Sequence, residues 1–308
     1  MSSVCWRRWP EYRGDNGVHV EQLGQGPDLV LLHGWGLHAG VWESLRAPLA
    51  RRYRLHLVDL PGYGRSRDID PPATTEELAA ALVQQTPAGA IWLGWSLGAQ
   101  IALLAAHRSP EHVHRLVLVA ATPCFVARTN WPMAMAPDVF NDFSSGLPQD
   151  WRATLTRFLG LMVADPRQDR EMLQALRVTL MSRGESANAR SLARGPRLDS
   201  RMESRAMPQG RGDHGFGPIG EPATAALAGG LEWLRHNDLR PLLVAIRQDT
   251  LLFQGDRDRL VPSSATAALA AMLPNARVCL VEGAGHAPFL SHPDLFLSRL
   301  ETFLAEAA

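Results

Sequence analysis

The 308-residue sequence contains no lysine, so all 31 positive side chains are arginines. They are matched by 31 acidic residues, leaving no net charge to steer the chain toward nucleic acid or an anionic membrane surface. Only three cysteines occur, Cys5, Cys124 and Cys279. They are odd in number, far apart and without a C-x-x-C pair, which excludes a disulfide framework and fits a reducing compartment. The first ten residues lack the apolar core of a signal peptide. No apolar run approaches membrane-spanning length. No metal-ligand cluster is recognisable, and Gly62-x-Gly64 lacks the third glycine of a dinucleotide fingerprint. These absences predict a cytoplasmic protein with no metal, no cofactor, no nucleic-acid partner and no membrane association. A monomer is the default expectation.

What is present is apolar and periodic. Hydrophobic residues make up 46% and charged residues 20%, the balance of a globular enzyme with a large core. Continuous apolar runs at 28–33, 54–60, 90–93, 116–121, 250–256 and 277–283 read as strands buried on both faces. An edge strand is expected near 18–21. Helical patterns at 41–52, 74–85 (with Thr75 as N-cap), in the Ala- and Leu-rich run after Gly98, and at 293–306 alternate with them. Strand–helix alternation implies a mostly parallel sheet flanked by helices. Between about 124 and 240 the strand patterns stop, and 151–163, 167–181 and 223–235 look helical. The expected organisation is a core in two parts, 1–123 and 241–308, with a helical cap at 124–240 inserted between them. Residues 183–222 carry repeated Arg-Gly and Pro-Gly pairs and few large apolar side chains, which predicts a loop or disordered insert.

The central motif is Gly94-Trp95-Ser96-Leu97-Gly98, with a strand run before it and a helix run after it. This G-x-S-x-G pattern is a nucleophile elbow, which exposes its serine at a strained strand-to-helix turn. A serine hydroxyl needs a base to take its proton and an acid to orient that base, in the chain order Ser, acid, His. Gly255-Asp256-Arg257-Asp258 follows a late strand and offers two carboxylates. Asp258 is favoured because an apolar-Val-Pro segment follows it, while Asp256 suits turn support. His286, in the loop Gly283-Ala284-Gly285-His286, is favoured as base over His292, which precedes Pro293 like a helix start. The oxyanion donors are expected at the backbone amides of Leu97 and Trp35, the latter within His33-Gly34-Trp35-Gly36. His33 reads as a structural residue of that loop. The rings of Trp35 and Trp95 either line an apolar pocket or belong to the core.

These motifs place the chain beside the α/β-hydrolase superfamily. More narrowly, it resembles the pimeloyl-[acyl-carrier protein] methyl ester carboxylesterases of biotin synthesis. The resemblance rests on residues 31–37, 55–66, 91–98, 123–125, 229–232 and 285–293, and it covers the chain from about residue 28 apart from the 183–222 insert. It implies an α/β-hydrolase fold with an inserted helical cap. It also implies hydrolysis of a carrier-linked pimeloyl methyl ester through Ser96, Asp258 and His286. The substrate would be bound by Trp35, Ser96, Leu97 and His286 and by an apolar cap segment matched here by Phe158, Leu159, Gly160, Leu161 and Met162. An acidic acyl-carrier protein would dock on cap arginines. Arg157 and Arg167 match basic positions of the family, with Arg152 and Arg170 nearby. Interleaved acids at Asp150, Asp165, Asp169 and Glu171 leave a solvated helix face as the alternative.

Overall fold

A computed structural model describes residues 17–165, 169–181 and 221–306. Residues 183–220 of the expected insert lie outside the described residues, as do Arg167 and Gln168 at the start of the helix expected at 167–181. Seven strands form one sheet: β1 (Val20–Leu23), β2 (Asp28–Leu32), β3 (Arg54–Val58), β4 (Ala90–Trp95), β5 (Val113–Val119), β6 (Asp249–Gly255) and β7 (Ala276–Val281). Their spatial order is β1-β3-β2-β4-β5-β6-β7. Only the β1–β3 pair is antiparallel. β4 is buried along its whole length, as a strand covered on both faces must be. β7, at the sheet edge, exposes Val278 and Leu280.

The helices are α1 (Glu43–Ala50), α2 (Thr75–Gln85), α3 (Leu97–Arg108), α4 (Pro137–Ser145), α5 (Trp151–Met162), α6 (Arg170–Met181), α7 (Thr224–His236), α8 (Ser263–Met272), α9 (Pro288–Ser291) and α10 (Pro293–Ala305). The helix expected at 41–52 divides into a 3-10 turn, Ala39–Trp42, and α1. The N-cap of α2 is Thr74, not Thr75. Its hydroxyl accepts from the Glu77 amide while the Glu77 carboxylate accepts from the Thr74 amide. That reciprocal bond needs a threonine three residues before a glutamate, which Thr75 is not. Helix α4, with proline in its first turn, was not foreseen from the sequence.

Helices α4 to α7 all lie between β5 and β6. The only strand-like pairings in that stretch, among the described residues, are isolated bridges at Val126–Met135 and Arg128–Trp131. The parallel register aligns the carboxyl ends of β2, β4, β6 and β7. Leu32 stands opposite Gly94, and Gly255 opposite Val281. The strand order reverses between β2 and β4, which opens the crevice where open α/β sheets bind ligands.

Candidate active site

At the end of β4 the chain turns through Ser96, with φ 56° and ψ −113°, and enters α3 at Leu97. A non-glycine residue in this region costs on the order of 1–3 kcal/mol and persists only where its surroundings enforce it. Here the neighbours do so. The Ser96 amide donates to the Val119 carbonyl at 2.9 Å, and the Ser96 carbonyl accepts from Ala99 at 3.0 Å. A Cβ at Gly94 would stand 2.4 Å from the Gly98 carbonyl oxygen, and one at Gly98 would stand 2.4 Å from that of Leu32. Both glycines are therefore required by close backbone approach. Ser96 remains 7% exposed in an otherwise closed neighbourhood.

Asp258 and His286 meet in the loops after β6 and β7. His286 Nδ1 lies 2.8 Å from Asp258 Oδ2, and both side chains are fully buried. A carboxylate there can only accept, so Nδ1 carries the proton and Nε2 presents its lone pair. That Nε2 is buried with no hydrogen-bond partner among the described residues. Asp258 is saturated on its other side, where Oδ1 accepts from the amides of Leu260 at 2.8 Å and Val261 at 3.0 Å. Asp256 faces elsewhere and accepts from the Gly283 amide at 2.7 Å. His292 caps α10 and bonds Ser291 through its ring.

The backbone of His286 is gripped from two sides. Its amide donates to the Met162 carbonyl at the end of α5, at 2.7 Å. Its carbonyl accepts from the Trp95 indole N–H at 2.8 Å. These two contacts were not foreseen from the sequence. The first is made by main-chain atoms, and the second joins residues 191 positions apart.

The two tryptophans near the serine have separate fates. Trp95 is a core aromatic, fully buried beside Phe289 (ring centroids 5.2 Å apart), Trp42 and the His286 ring. Trp35 turns toward the α4–α7 segment. Its ring lies edge-on to Phe158 at 4.9 Å and to Phe143 at 5.6 Å, and its indole N–H donates to the Leu227 carbonyl at 2.9 Å. The main chain before Trp35 runs beside the serine, since a Cβ on Gly34 would stand 3.4 Å from Ser96 Cβ. Leu97 is the first residue of α3, where helical amides lack intrahelical acceptors. The donors expected at Trp35 and Leu97 thus belong to segments adjoining Ser96. His33 holds its loop in place: its ring bonds the Gly34 carbonyl through Nδ1 at 2.8 Å and accepts the Leu60 amide through Nε2 at 3.0 Å. Burial pushes its pKa down to about 4, which keeps it neutral.

On α5, Phe158, Leu159 and Met162 are buried, while Gly160 and Leu161 are half-buried. Arg152 pairs with Glu221 at 2.7 Å and stacks over the Trp151 ring. Arg157 and Arg170 are exposed. A depression of about 310 Å³ lies at the opposite, amino-terminal edge of the sheet, between Arg52, Tyr53, Arg115 and Leu304, remote from the serine. Among the described residues, no cluster of three or more His, Cys, Asp or Glu could hold a metal ion, and no helix is long and apolar enough to cross a membrane.

Comparison with known proteins gives consistent findings. The sequence profile of the alpha/beta hydrolase fold matches residues 27–293. A pimeloyl-[acyl-carrier protein] methyl ester esterase from Xanthomonas campestris pv. campestris (strain B100) is 40% identical over 288 residues, covering 94% of this chain and 99% of the relative. A protein of the same name from Nitrosomonas europaea is 37% identical over 281 residues, covering 91% and 97%. Among solved structures, the esterase EaEST from Exiguobacterium antarcticum superposes with a TM-score of 0.72 at 23% identity, covering 94% of this chain and 96% of that one. The enol-lactonase from Burkholderia xenovorans LB400 gives 0.71 at 18%, with the same coverage. At such identities these structural likenesses speak for the fold alone.

Proposed function

The chain belongs to the alpha/beta hydrolase fold family, and from that premise we propose that it is a serine carboxylesterase acting on the methyl ester of pimeloyl-[acyl-carrier protein] in biotin synthesis. The observation that carries the substrate is the identity of 40% over nearly the full length of a relative bearing that name. The reaction class is supported by the buried His286–Asp258 pair and, separately, by the strained serine at the end of β4.

In this reading Ser96 Oγ attacks the ester carbonyl while His286 Nε2 takes its proton. Asp258 holds the imidazole by Nδ1 and offsets the charge that develops on it. The negative charge on the former carbonyl oxygen is met by the amides of Leu97 and Trp35. Loss of one such donor costs roughly 3–4 kcal/mol of barrier. His286 then returns the proton to the leaving methoxide, methanol departs, and an acyl-enzyme remains on Ser96. Water, deprotonated by the same Nε2, attacks the acyl carbon. Collapse returns the proton to Ser96 and frees the carboxylate.

Residues 124–240 act as the cap, between core parts 1–123 and 241–308. The Phe158–Met162 segment with Trp35 forms its apolar face toward the acyl chain. Arg157, Arg167 and Arg170 offer positive charge to an acidic carrier protein. Arg152 is already paired, and an exposed pair contributes at most about 1 kcal/mol, so exchange with a carrier carboxylate is cheap. The enzyme works as a cytoplasmic monomer without a cofactor.

The test is methanol release from methyl pimeloyl-carrier protein, compared with hydrolysis of a free short-chain ester, by the wild type and by Ser96→Ala. Expected is a clear preference for the carrier-linked ester and loss of both activities in Ser96→Ala with unchanged thermal unfolding. Equal efficiency on the two esters overturns the substrate. Retained turnover in Ser96→Ala overturns the mechanism.

A further inference from the structure

Gln254 follows the apolar run Leu251-Leu252-Phe253 one residue before the end of β6, and its side chain is wholly buried. A buried amide without partners costs several kcal/mol, so its bonds need accounting. Its Nε2 stands 2.9 Å from the Val261 carbonyl, 3.0 Å from that of Gly255 and 3.1 Å from Asp258 Oδ2. All three neighbours are acceptors, which fixes the amide's orientation. At the other end Oε1 accepts the Thr266 hydroxyl from α8 at 2.6 Å. The amide therefore closes the loop that carries Asp258. Its two N–H donors are shared among the carbonyls at the two ends of that loop and the carboxylate in the middle.

We propose that Gln254 is a positioning residue of the esterase, setting the plane of the Asp258 carboxylate that in turn aims the His286 imidazole. The inference rests on the reading of Asp258 and His286 as acid and base. Asp258 Oδ1 is fixed by two backbone amides, and those bonds alone leave the carboxylate free to tilt about them. The bond from Gln254 to Oδ2, the oxygen that also receives His286 Nδ1–H, removes that freedom. Thr266 supports the same oxygen at one remove, by holding the far end of the amide.

The experiment uses the full chain, an activated p-nitrophenyl ester and four variants: Gln254→Met, Thr266→Val, Asp258→Asn and the Gln254→Met/Asp258→Asn double variant. Gln254→Met keeps length and apolar volume but loses both donors. Expected is a fall in kcat of tenfold or more with KM within twofold, and a fall of two- to fivefold for Thr266→Val, which retains every Asp258 contact. In the Asp258→Asn background the further loss from Gln254→Met should shrink to less than twofold, because its effect passes through the carboxylate. Gln254→Met lowers the melting temperature in either case, but a merely structural glutamine would give the same fold loss in both backgrounds. That result, or an unchanged kcat in folded Gln254→Met, overturns the inference. Should Gln254→Met not fold, an unchanged kcat in Thr266→Val overturns it equally. Ser96→Ala assayed alongside separates the two levels. Its retained activity would refute the underlying catalytic reading, whereas its inactivity combined with a neutral Gln254→Met refutes only the positioning role.

Discussion

Gly285→Ala is a small change placed where the hydrolase core and the α5 helix touch. A Cβ built on Gly285 would lie 2.4 Å from the Met162 carbonyl oxygen, 2.8 Å from the Ala164 amide nitrogen and 3.0 Å from the Val163 carbonyl carbon. All three are main-chain atoms, so no side chain can swing aside. Ordinary contact begins near 3.4 Å, so the loop and the end of α5 must separate by about 1 Å. The Met162 carbonyl is also the acceptor for the His286 amide at 2.7 Å. The separation therefore breaks or stretches the bond that holds the base. A misplacement of about 1 Å in a catalytic group costs on the order of 10²-fold in rate. The expected result is a fall in kcat/KM of about that size, carried by kcat, with the loss of one buried hydrogen bond costing about 1–3 kcal/mol of stability.

The matched control is Gly160→Ala on the same helix. A Cβ there meets nothing within 4 Å. Alanine in a helix interior is favoured over glycine by about 1 kcal/mol, so this variant should be slightly more stable and, on a free short-chain ester that does not reach the acyl-binding segment, equally active. Initial rates on one ester, with thermal melts of both proteins, make the comparison. A folded Gly285→Ala enzyme with kcat/KM within twofold of wild type would refute the claim that α5 holds the base in place.

Trp95→Phe keeps an aromatic ring but removes the indole donor to the His286 carbonyl. It should lower kcat at least tenfold with little change in KM, and lower stability by about 1–3 kcal/mol in chemical unfolding. Gly98→Ala would drive a Cβ to 2.4 Å from the Leu32 carbonyl oxygen and 2.7 Å from that of His33. The elbow should fail to form, seen as loss of activity together with a lowered melting temperature. His33 is held neutral with a pKa of about 4 against 6.5 in an open chain. As pH falls, the unfolded chain binds this proton first, so stability is full above about pH 6.5 and declines toward pH 4, by roughly 3 kcal/mol in total. Urea unfolding across that range should show a shallower pH slope in His33→Gln; an unchanged slope would remove His33 as the cause.

What the sequence makes legible at this site follows from how local each constraint is. The elbow is written in five consecutive residues, because the close approach of β4 and α3 forbids side chains at 94 and 98 and forces Ser96 to φ 56°. The capping box of α2 is equally local, and Thr74 with Glu77 satisfies its spacing where Thr75 with Leu78 does not. Asp258 is distinguishable from Asp256 only by the strand ends that bring it to His286, yet the apolar-Val-Pro segment that follows is close enough to mark it. Gln254 left a readable sign, a polar residue straight after the apolar run Leu251-Leu252-Phe253, but its meaning depends on a carboxylate four residues on and a threonine on the next helix. Trp95 left none, since its polar partner is 191 residues away and a tryptophan in a buried strand reads as core, which it also is. Met162 could leave none, because the group that holds His286 is a peptide carbonyl every residue possesses. The reacting groups are thus encoded locally and their alignment is not. His286 is fixed at once by β4 through Trp95 and by α5 through Met162, both at its main chain, and by the β6 loop through Asp258 at its ring. Any substitution that shifts one of these three against the others will reach the base without touching the triad.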